Sequence, residues 1–349
     1  MLDYQLILAV IGGVAVLLGL ILYVRLQAFI ALLIASIFVG IFAGMPPLTI
    51  ISTIQQGMAS TLGFVAVVVG LGAIFGAILE HSGGAQALAQ FLISKFGEKR
   101  ASWALVLTGF FVAIPVFFDV GFIILVPLIY ALQRKTSKSL LLYAMPLLAG
   151  LAITHAFIPP TPGPVAVADI LNADLGWVIL FGVIAGVPAA IVSGPIFAKY
   201  ISRKIHLEAP ALSDGEIQTS NPPPVAGILA IIGLPILLIL ANTLLGSPLV
   251  PKGFIPVELL EIIQMIGHPF SALIIANLIA WYTLGIRRGF TRSQLQDIST
   301  KSLAPAGIII LLTGAGGVFK QILVNTGTGE MLASYFAQGG VNIMLFAFI

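Results

Sequence analysis

The chain has 349 residues, of which 59% are hydrophobic and 8% are charged, and its mean hydropathy is +1.12. No soluble globular domain approaches this balance, so the composition indicates an all-α polytopic membrane protein. Cysteine is absent, which excludes disulfides and thiolate metal sites. The net charge of +3 does not indicate a nucleic-acid partner, because the sixteen basic residues cluster at the ends of apolar runs.

The positions of these basic residues predict the topology, because Lys and Arg flank spans on the cytoplasmic side. The first apolar run, Leu6 to Val24, can cross a hydrocarbon core of roughly 30 Å and is read as a retained helix. Outward and inward spans are then predicted near 26–44 and 61–80, between Lys138 and Lys199, and near 225–246 and 268–286. The connection 45–60 and Lys252 lie outside in this scheme, and so does the N-terminus.

One interval, 101–133, does not fit a simple crossing. As a continuous helix it would measure about 50 Å, too long for one span and too short for two. Its middle, Pro115 to Gly121 (PVFFDVG), contains a helix breaker, a flexible glycine and the interval's only charged side chain, Asp119. We therefore predict a re-entrant helical hairpin with its tip inside the membrane, which implies a cavity.

An internal repeat links the two halves of the chain. Residues 72–89 (GAIFGAILEHSGGAQALA) align without gaps to 316–333 (GGVFKQILVNTGTGEMLA), an offset of 244 residues. The predicted topology gives these copies opposite orientations, the pattern that secondary transporters use to alternate around one central site. The domains predicted from this are a first repeat at 1–207, a polar cytoplasmic linker at 208–224 and a second repeat at 225–349.

The repeat also produces an expectation about the end of the chain. The counterpart of Asp119 would lie beyond Ile349, and the sequence stops within the apolar run 341–349. We expect the second hairpin and broken helix to be missing, so that the chain is a fragment of a longer protein.

The broken helix of the first repeat is predicted within 140–172, at THAFIPPTPGP (154–164). Two consecutive prolines remove backbone donors, free carbonyl groups and turn the N-terminus of the next helix toward the gap. Such an end suits a carboxylate, while Thr154, His155 and Thr161 can bond a polyol chain. The alternative is a kinked structural helix with a satisfied histidine.

Two acidic residues are candidates for carrying a proton. A carboxylate at membrane depth is costly unless it is protonated, paired or hydrated, which makes Asp119 a functional candidate, with a helix cap as the alternative role. Glu80 lies at the cytoplasmic end of its helix, where a boundary residue is nearly as good an interpretation as a proton relay.

Three stretches carry a family resemblance: GAILEHSGGAQALA, FFDVGFIILVPL and THAFIPPTPGPVAVADI. They resemble signature stretches of the gluconate permease family, whose members are proton symporters for gluconate and related sugar acids, with D-serine transport in one branch. The resemblance runs along the whole chain. It implies a fold of the ion transporter superfamily, with two inverted repeats, each holding a re-entrant hairpin and a broken helix.

The resemblance also implies a set of site residues. The substrate region would include Asp119, Gly121, Thr154, His155, Pro159, Pro160, Thr161 and Gly163, with Ser82, Gly83, Thr326 and Gly327 nearby. The residues expected to couple the proton stay Asp119 and Glu80, on the chemical grounds given above.

The function expected from these patterns is import of a sugar acid with a proton through the bacterial inner membrane. The proton would be the coupling ion, with no other cofactor, and the lipid bilayer and a small sugar acid would be the partners. The oligomeric state stays open, with a homo-oligomer among the alternatives.

Within transport, the alternative substrates are D-serine or a dicarboxylate. An intramembrane enzyme or a pore is the alternative class, although no catalytic motif accompanies the histidine and the aspartate, so we expect no enzyme.

Overall fold

The computed structural model describes residues 3–210, 223–246, 256–331 and 334. These residues form helices joined by short connections, with no strand among them. The helices are α1 (Asp3–Leu22), α2 (Ala28–Phe42), α3 (Pro47–His81), α4 (Gly84–Phe96), α5 (Ala101–Val112), α6 (Phe118–Thr136), α7 (Leu141–Phe157), α8 (Pro162–Leu171), α9 (Leu175–Ile191), α10 (Phe197–Lys204), α11 (Val225–Leu245), α12 (Val257–Gly267), α13 (Pro269–Ala280) and α14 (Arg292–Asn325).

Seven of the described helical segments are long and apolar enough to cross a membrane. Two of them include a π-helical turn, at Val192–Ile196 between α9 and α10 and at Trp281–Gly285 after α13. The prediction of an all-α polytopic membrane protein is therefore confirmed.

The segment after α2 differs from its prediction. We expected a connection at 45–60 followed by a helix at 61–80, but α3 begins at Pro47 and continues for 35 residues. Proline is tolerated in the first turn of a helix, where its missing N–H has no intrahelical partner anyway. The helix then continues because Ile50 is buried against Val39 and Ile322, which rewards helical packing of a stretch that carries no charge.

The predicted hairpin interval does contain two helices. α5 and α6 are separated by residues 113–117, so the break begins two residues before the predicted tip and ends before Asp119. α5 has 12 residues, which is shorter than the ~20 needed to cross a bilayer. Both helices pack against α7.

The segment between the linker and α14 contains one helix that was not predicted. The predicted spans near 225–246 and 268–286 correspond to α11 and to α13 with its π turn, while α12 is an additional helix of 11 residues. Lys252, linker residues 211–222 and the apolar run 341–349 lie outside the described residues. Their predicted roles stay predictions.

The chain divides into two compact units. The first holds the described residues of 1–66 and 308–349, and its core includes a close crossing of α3 and α14. A Cβ added to Gly57 would lie 2.8 Å from the Cα of Val318, and one added to Gly317 would lie 2.0 Å from Oγ1 of Thr61. The two helices therefore touch backbone to backbone, which is how small residues let membrane helices associate.

The second unit holds the described residues of 67–307, and its centre is the crossing of α5 and α7. A Cβ on Gly109 would lie 2.5 Å from the carbonyl oxygen of Leu147, and one on Gly150 would lie 2.2 Å from that of Val106. This close crossing fixes α7, and therefore the break that follows it, relative to α5.

A non-helical strap, residues 205–210, follows α10 and is hydrogen-bonded to the α6–α7 connection. The Ser139 hydroxyl donates to the carbonyl of Ile205 at 2.8 Å and accepts from the amide of Leu207 at 3.2 Å. The amide of Leu140 donates to the carbonyl of Leu207 at 2.8 Å. Two further bonds join the strap to α6: Ala209 N–H to Gln133 Oε1 at 3.2 Å, and Arg134 Nη2 to Pro210 O at 2.9 Å.

The two copies of the internal repeat have the same turn at the end of α3 and of α14. Gly83 and Gly327 adopt φ values of +75° and +76°, a left-handed conformation that favours glycine. The Ser82 hydroxyl donates to the carbonyl of Leu79 at 2.8 Å, and the Thr326 hydroxyl donates to that of Leu323 at 2.9 Å. These bonds repeat at the 244-residue offset. The inverted orientation and the boundaries 1–207 and 225–349 stay predictions.

Candidate functional site

The break between α7 and α8 spans residues 158–161 and follows from its two prolines, which cannot donate to the helical ladder. Pro159 and Pro160 are buried, and the peptide bond between them is cis. The hydroxyl of Thr154 donates to the carbonyl of Phe110 at 3.0 Å, and that of Thr161 donates to the carbonyl of Ile158 at 2.7 Å. Both threonine protons are therefore used inside the protein, which leaves only the oxygen lone pairs for a ligand.

The first turn of α8 offers a carboxylate fewer amides than an ordinary helix N-terminus does. Pro162 and Pro164 have no N–H, and the amide of Val165 donates to the carbonyl of Thr161 at 3.2 Å. Gly163 is then the first-turn residue with an amide left for a ligand. Gly163 lines an apolar groove between α7, α8 and α9, together with aromatic side chains such as Trp177.

Asp119 and His155 both lie beside the α5–α6 break. Asp119 lies in the first turn of α6 and is exposed on the protein surface. The His155 ring packs edge-on against Phe117, with ring centroids 6.3 Å apart. Its Nδ1 atom is buried and has no hydrogen-bond partner among the described residues. Gly121, two residues after Asp119, is buried and its Cα faces Leu151.

Helix α3 brings the two breaks together. A Cβ on Gly76 would lie 2.1 Å from the carbonyl oxygen of Pro115, so the backbone between α5 and α6 rests directly on the helix. One turn earlier, a Cβ on Gly72 would lie 3.9 Å from Pro160 in the α7–α8 break. Residues of both breaks and of α3 line one small pocket.

A larger cavity of about 200 Å³ adjoins this junction. It is smaller than the ~300–1,000 Å³ typical of sites for drug-sized ligands, so it fits a smaller molecule. Its polar lining comes from Glu80 and His81 at the end of α3 and from Lys301 and Ser302 on α14. The rest of the wall comes from small and apolar side chains, among them Phe117 and Val120, next to Asp119.

The remaining predicted site residues are not among those that line the cavity. Ser82 and Gly83 follow Glu80 but are buried in the turn between α3 and α4, where the serine hydroxyl is bonded to its own helix. Thr326 and Gly327 belong to the first compact unit, whereas the broken segments belong to the second. The Thr326 hydroxyl lies 2.8 Å from that of Thr328.

Sequence reasoning missed four residues of this junction: Gly72, Gly76, Lys301 and Ser302. The spacing of two glycines by four residues on α3 was a usable signal, because it places both on one helix face where another backbone can approach. Lys301 had been interpreted only as a marker of topology. Its position in the cavity depends on tertiary packing and leaves no local pattern in the sequence.

Interrupted helices that meet beside a polar cavity in a bundle of membrane-spanning helices define a membrane transport protein. The comparisons with known proteins identify the family. The model described as "GntP family permease" matches residues 4–349, and the chain belongs to that family.

Three relatives illustrate the similarity. The chain is 39% identical to the "Low-affinity gluconate transporter" of Escherichia coli (strain K12), covering 100% of this chain and 78% of that protein. It is 37% identical to the "Gluconate permease" of Pseudomonas aeruginosa, covering 99% and 77%. It is 35% identical to the "Gnt-II system L-idonate transporter" of Escherichia coli (strain K12), covering 94% and 74%.

These findings confirm the resemblance to the gluconate permease family. The chain is a multi-pass membrane permease, and the names of its relatives describe transport and not catalysis, which confirms the expectation that it is not an enzyme.

Proposed function

We propose that the protein imports gluconate or a related sugar acid together with a proton, across the cytoplasmic membrane of a bacterium. Family membership supports transport, and relatives named for gluconate and L-idonate support a sugar acid over the alternatives of D-serine or a dicarboxylate. The inverted repeats, with the N-terminus outside, belong to this proposal. The observation that carries the site is the meeting of the two breaks on the glycine face of α3.

The substrate region in this proposal surrounds that junction. A sugar acid has a row of hydroxyl groups, and His155 offers a buried nitrogen without a protein partner. The threonine oxygens of the α7–α8 break can accept hydrogen bonds from substrate hydroxyls, although their own protons are used. Pro159, Pro160 and Gly121 would shape the wall, and Gly163 would supply one amide. Ser82 and Gly83 would support the site through the turn that follows Glu80, and the roles of Thr326 and Gly327 stay predictions.

Proton coupling is supported by the acidic residues near the same region. A sphere of the cavity's volume is about 7 Å across, so an anion inside it would lie within a few ångströms of Glu80. Two negative charges at that distance repel each other unless one carries a proton. An anion near His155 would be repelled by the carboxylate of Asp119 in the same way. Loading of a carboxylate and of a proton would therefore favour each other, which is the basis of symport.

Uptake of labelled gluconate into proteoliposomes tests the transport step. We expect accumulation when the pH outside is lower than inside, and its collapse when an ionophore removes the gradient. Unlabelled gluconate and L-idonate should compete, whereas D-serine and a dicarboxylate such as succinate should not. Uptake that does not depend on the gradient would remove the proton from the mechanism. Competition by D-serine alone would show that the substrate is an amino acid and not a sugar acid.

Asp119→Asn tests the proton carrier. The amide cannot release a proton, so we expect gradient-driven accumulation to be lost while exchange of labelled for unlabelled gluconate continues. Asp169→Asn is the matched control, since it removes a carboxylate near the C-terminal end of α8, outside the cavity lining. Accumulation by the Asp119 variant at the level of the Asp169 control would reduce Asp119 to a helix cap.

A further inference from the structure

The cavity at the end of α3 contains a basic residue that the proposed site does not yet use. Lys301 lies about two and a half turns into α14, within a segment long and apolar enough to span a membrane, and it lines the cavity together with Glu80, His81 and Ser302. A marker of topology needs only to lie at a membrane surface. Lys301 instead shares a cavity with three polar side chains and with the tip between α5 and α6.

Lys301 is held by a weak partner. Its Nζ lies 2.7 Å from Oδ2 of Asp297, one turn earlier on the same helix, and the two side chains are 77% and 60% exposed. Exposed ion pairs of this kind contribute little to stability, because water screens both charges. An ammonium group has three donors, and the bond to Asp297 occupies one of them. Lys301 can therefore bind a second carboxylate, or exchange Asp297 for it, at little cost.

Neither helix N-terminus at the junction is a good receptor for a carboxylate. The first turn of α8 has one amide to offer, at Gly163, because Pro162 and Pro164 have none. The first turn of α6 has its amides but also holds Asp119, whose negative charge occupies the positive end of that helix. The carboxylate of a sugar acid thus needs a cation from elsewhere. Among the described residues that line the cavity, Lys301 is the one with a lysine or arginine side chain.

We propose that Lys301 binds the carboxylate of the transported acid in this cavity, an inference that rests on the proposed function. Asp297 holds the ammonium group in place when the cavity is empty. The oxygen of Ser302, whose proton is donated to the carbonyl of Ser299 at 2.8 Å, accepts a hydrogen bond from a substrate hydroxyl. Lys301 then sets the preference for a monoanion over a neutral polyol of the same length.

Two assays on the full protein separate this inference from the proposed function. Binding of labelled gluconate to detergent-solubilised protein measures recognition without transport, and gradient-driven uptake into proteoliposomes measures symport. The variants are Lys301→Gln and Lys301→Arg. Lys95→Gln is the matched control, because Lys95 is an exposed lysine on α4, near the ring of Phe91 and outside the cavity lining.

We expect Lys301→Gln to weaken gluconate binding and raise the KM of uptake by about 10-fold, the low end for a lost hydrogen bond to a charged group, because a substrate that fills the cavity displaces part of the water that screens Lys301. Lys301→Arg should restore both to within about threefold, because it keeps the charge. Lys95→Gln should not weaken binding. Competition by sorbitol, the uncharged polyol of the same length, should be equal in the wild type and in Lys301→Gln.

Wild-type binding by Lys301→Gln would overturn the inference, and so would an equal loss in the Gln and Arg variants, since charge would then not matter. Binding that depends on Lys301 in a protein whose uptake ignores the pH gradient would keep the inference and remove the symport mechanism. Gradient-driven uptake with a normal KM in Lys301→Gln would overturn the inference and keep the symport mechanism.

Discussion

The contact between α3 and the α5–α6 break can be tested by adding a single methyl group at Gly76. In Gly76→Ala the new Cβ would lie 2.1 Å from the carbonyl oxygen of Pro115 and 3.3 Å from the Cα of Val116. Both are backbone atoms, so no side chain can turn away. The break would have to retreat from α3 by at least about 1 Å to reach a normal van der Waals distance.

The expected cost follows from two opposing terms. Alanine is favoured over glycine within a helix by up to about 1 kcal/mol, while overpacking a close contact costs typically about 1–3 kcal/mol and more when backbone must move. We expect a net penalty of about 1–3 kcal/mol on the packed arrangement. This corresponds to a roughly 5- to 150-fold drop in the equilibrium constant between the packed arrangement and arrangements that lack this contact.

Gly72→Ala is the control for this prediction. Its Cβ would lie 3.9 Å from Pro160, an ordinary contact, and it gains the same helical preference. We would measure thermal unfolding in detergent and initial rates of gluconate uptake for both variants. Gly72→Ala should match or exceed the wild type in both measurements. An unfolding temperature and an uptake rate for Gly76→Ala equal to those of Gly72→Ala would refute the close approach of the break to α3.

Two further predictions concern the strap and the repeated turns. Ser139→Ala removes a donor and an acceptor that join residues 205–210 to the α6–α7 connection, so it should lower the free energy of unfolding by about 1–3 kcal/mol, whereas Ser94→Ala, which removes an exposed bond within α4, should have little effect. Gly83→Ala and Gly327→Ala each force a side chain into the left-handed region and should each cost about 1–2 kcal/mol. Unequal losses at the two glycines, measured by thermal unfolding, would argue against equivalent turns.

The breaks in the helices were predictable because proline acts locally. Pro115 and the pair Pro159–Pro160 cannot donate to a helical ladder, whatever surrounds them, and both breaks occur at or next to these residues. The location of polar residues in apolar sequence then identified Asp119 and His155 as candidates. These are consequences of chemistry within a few residues.

Helix lengths and meeting points depended on tertiary packing and were harder to predict. The start of α3 at Pro47 follows from burial of Ile50 against side chains far away in sequence. The bond from Thr154 to Phe110 joins residues 44 positions apart, and nothing near Thr154 indicates that its proton is already used. Basic residues predicted sides of the membrane, but they gave no indication that Lys301 lines a cavity.

The prolines at the start of α8 have a consequence for how long a substrate stays bound. A helix end with several free amides holds an anion through several hydrogen bonds, all of which must break before the anion can leave. With Pro162 and Pro164 in the first turn, the field of α8 would attract an anion to the proposed site, but only Gly163 could donate a hydrogen bond from this helix end. An anion that is also bound by Lys301, as proposed, would then have few hydrogen bonds to break before it leaves, which suits a site that must empty in every transport cycle.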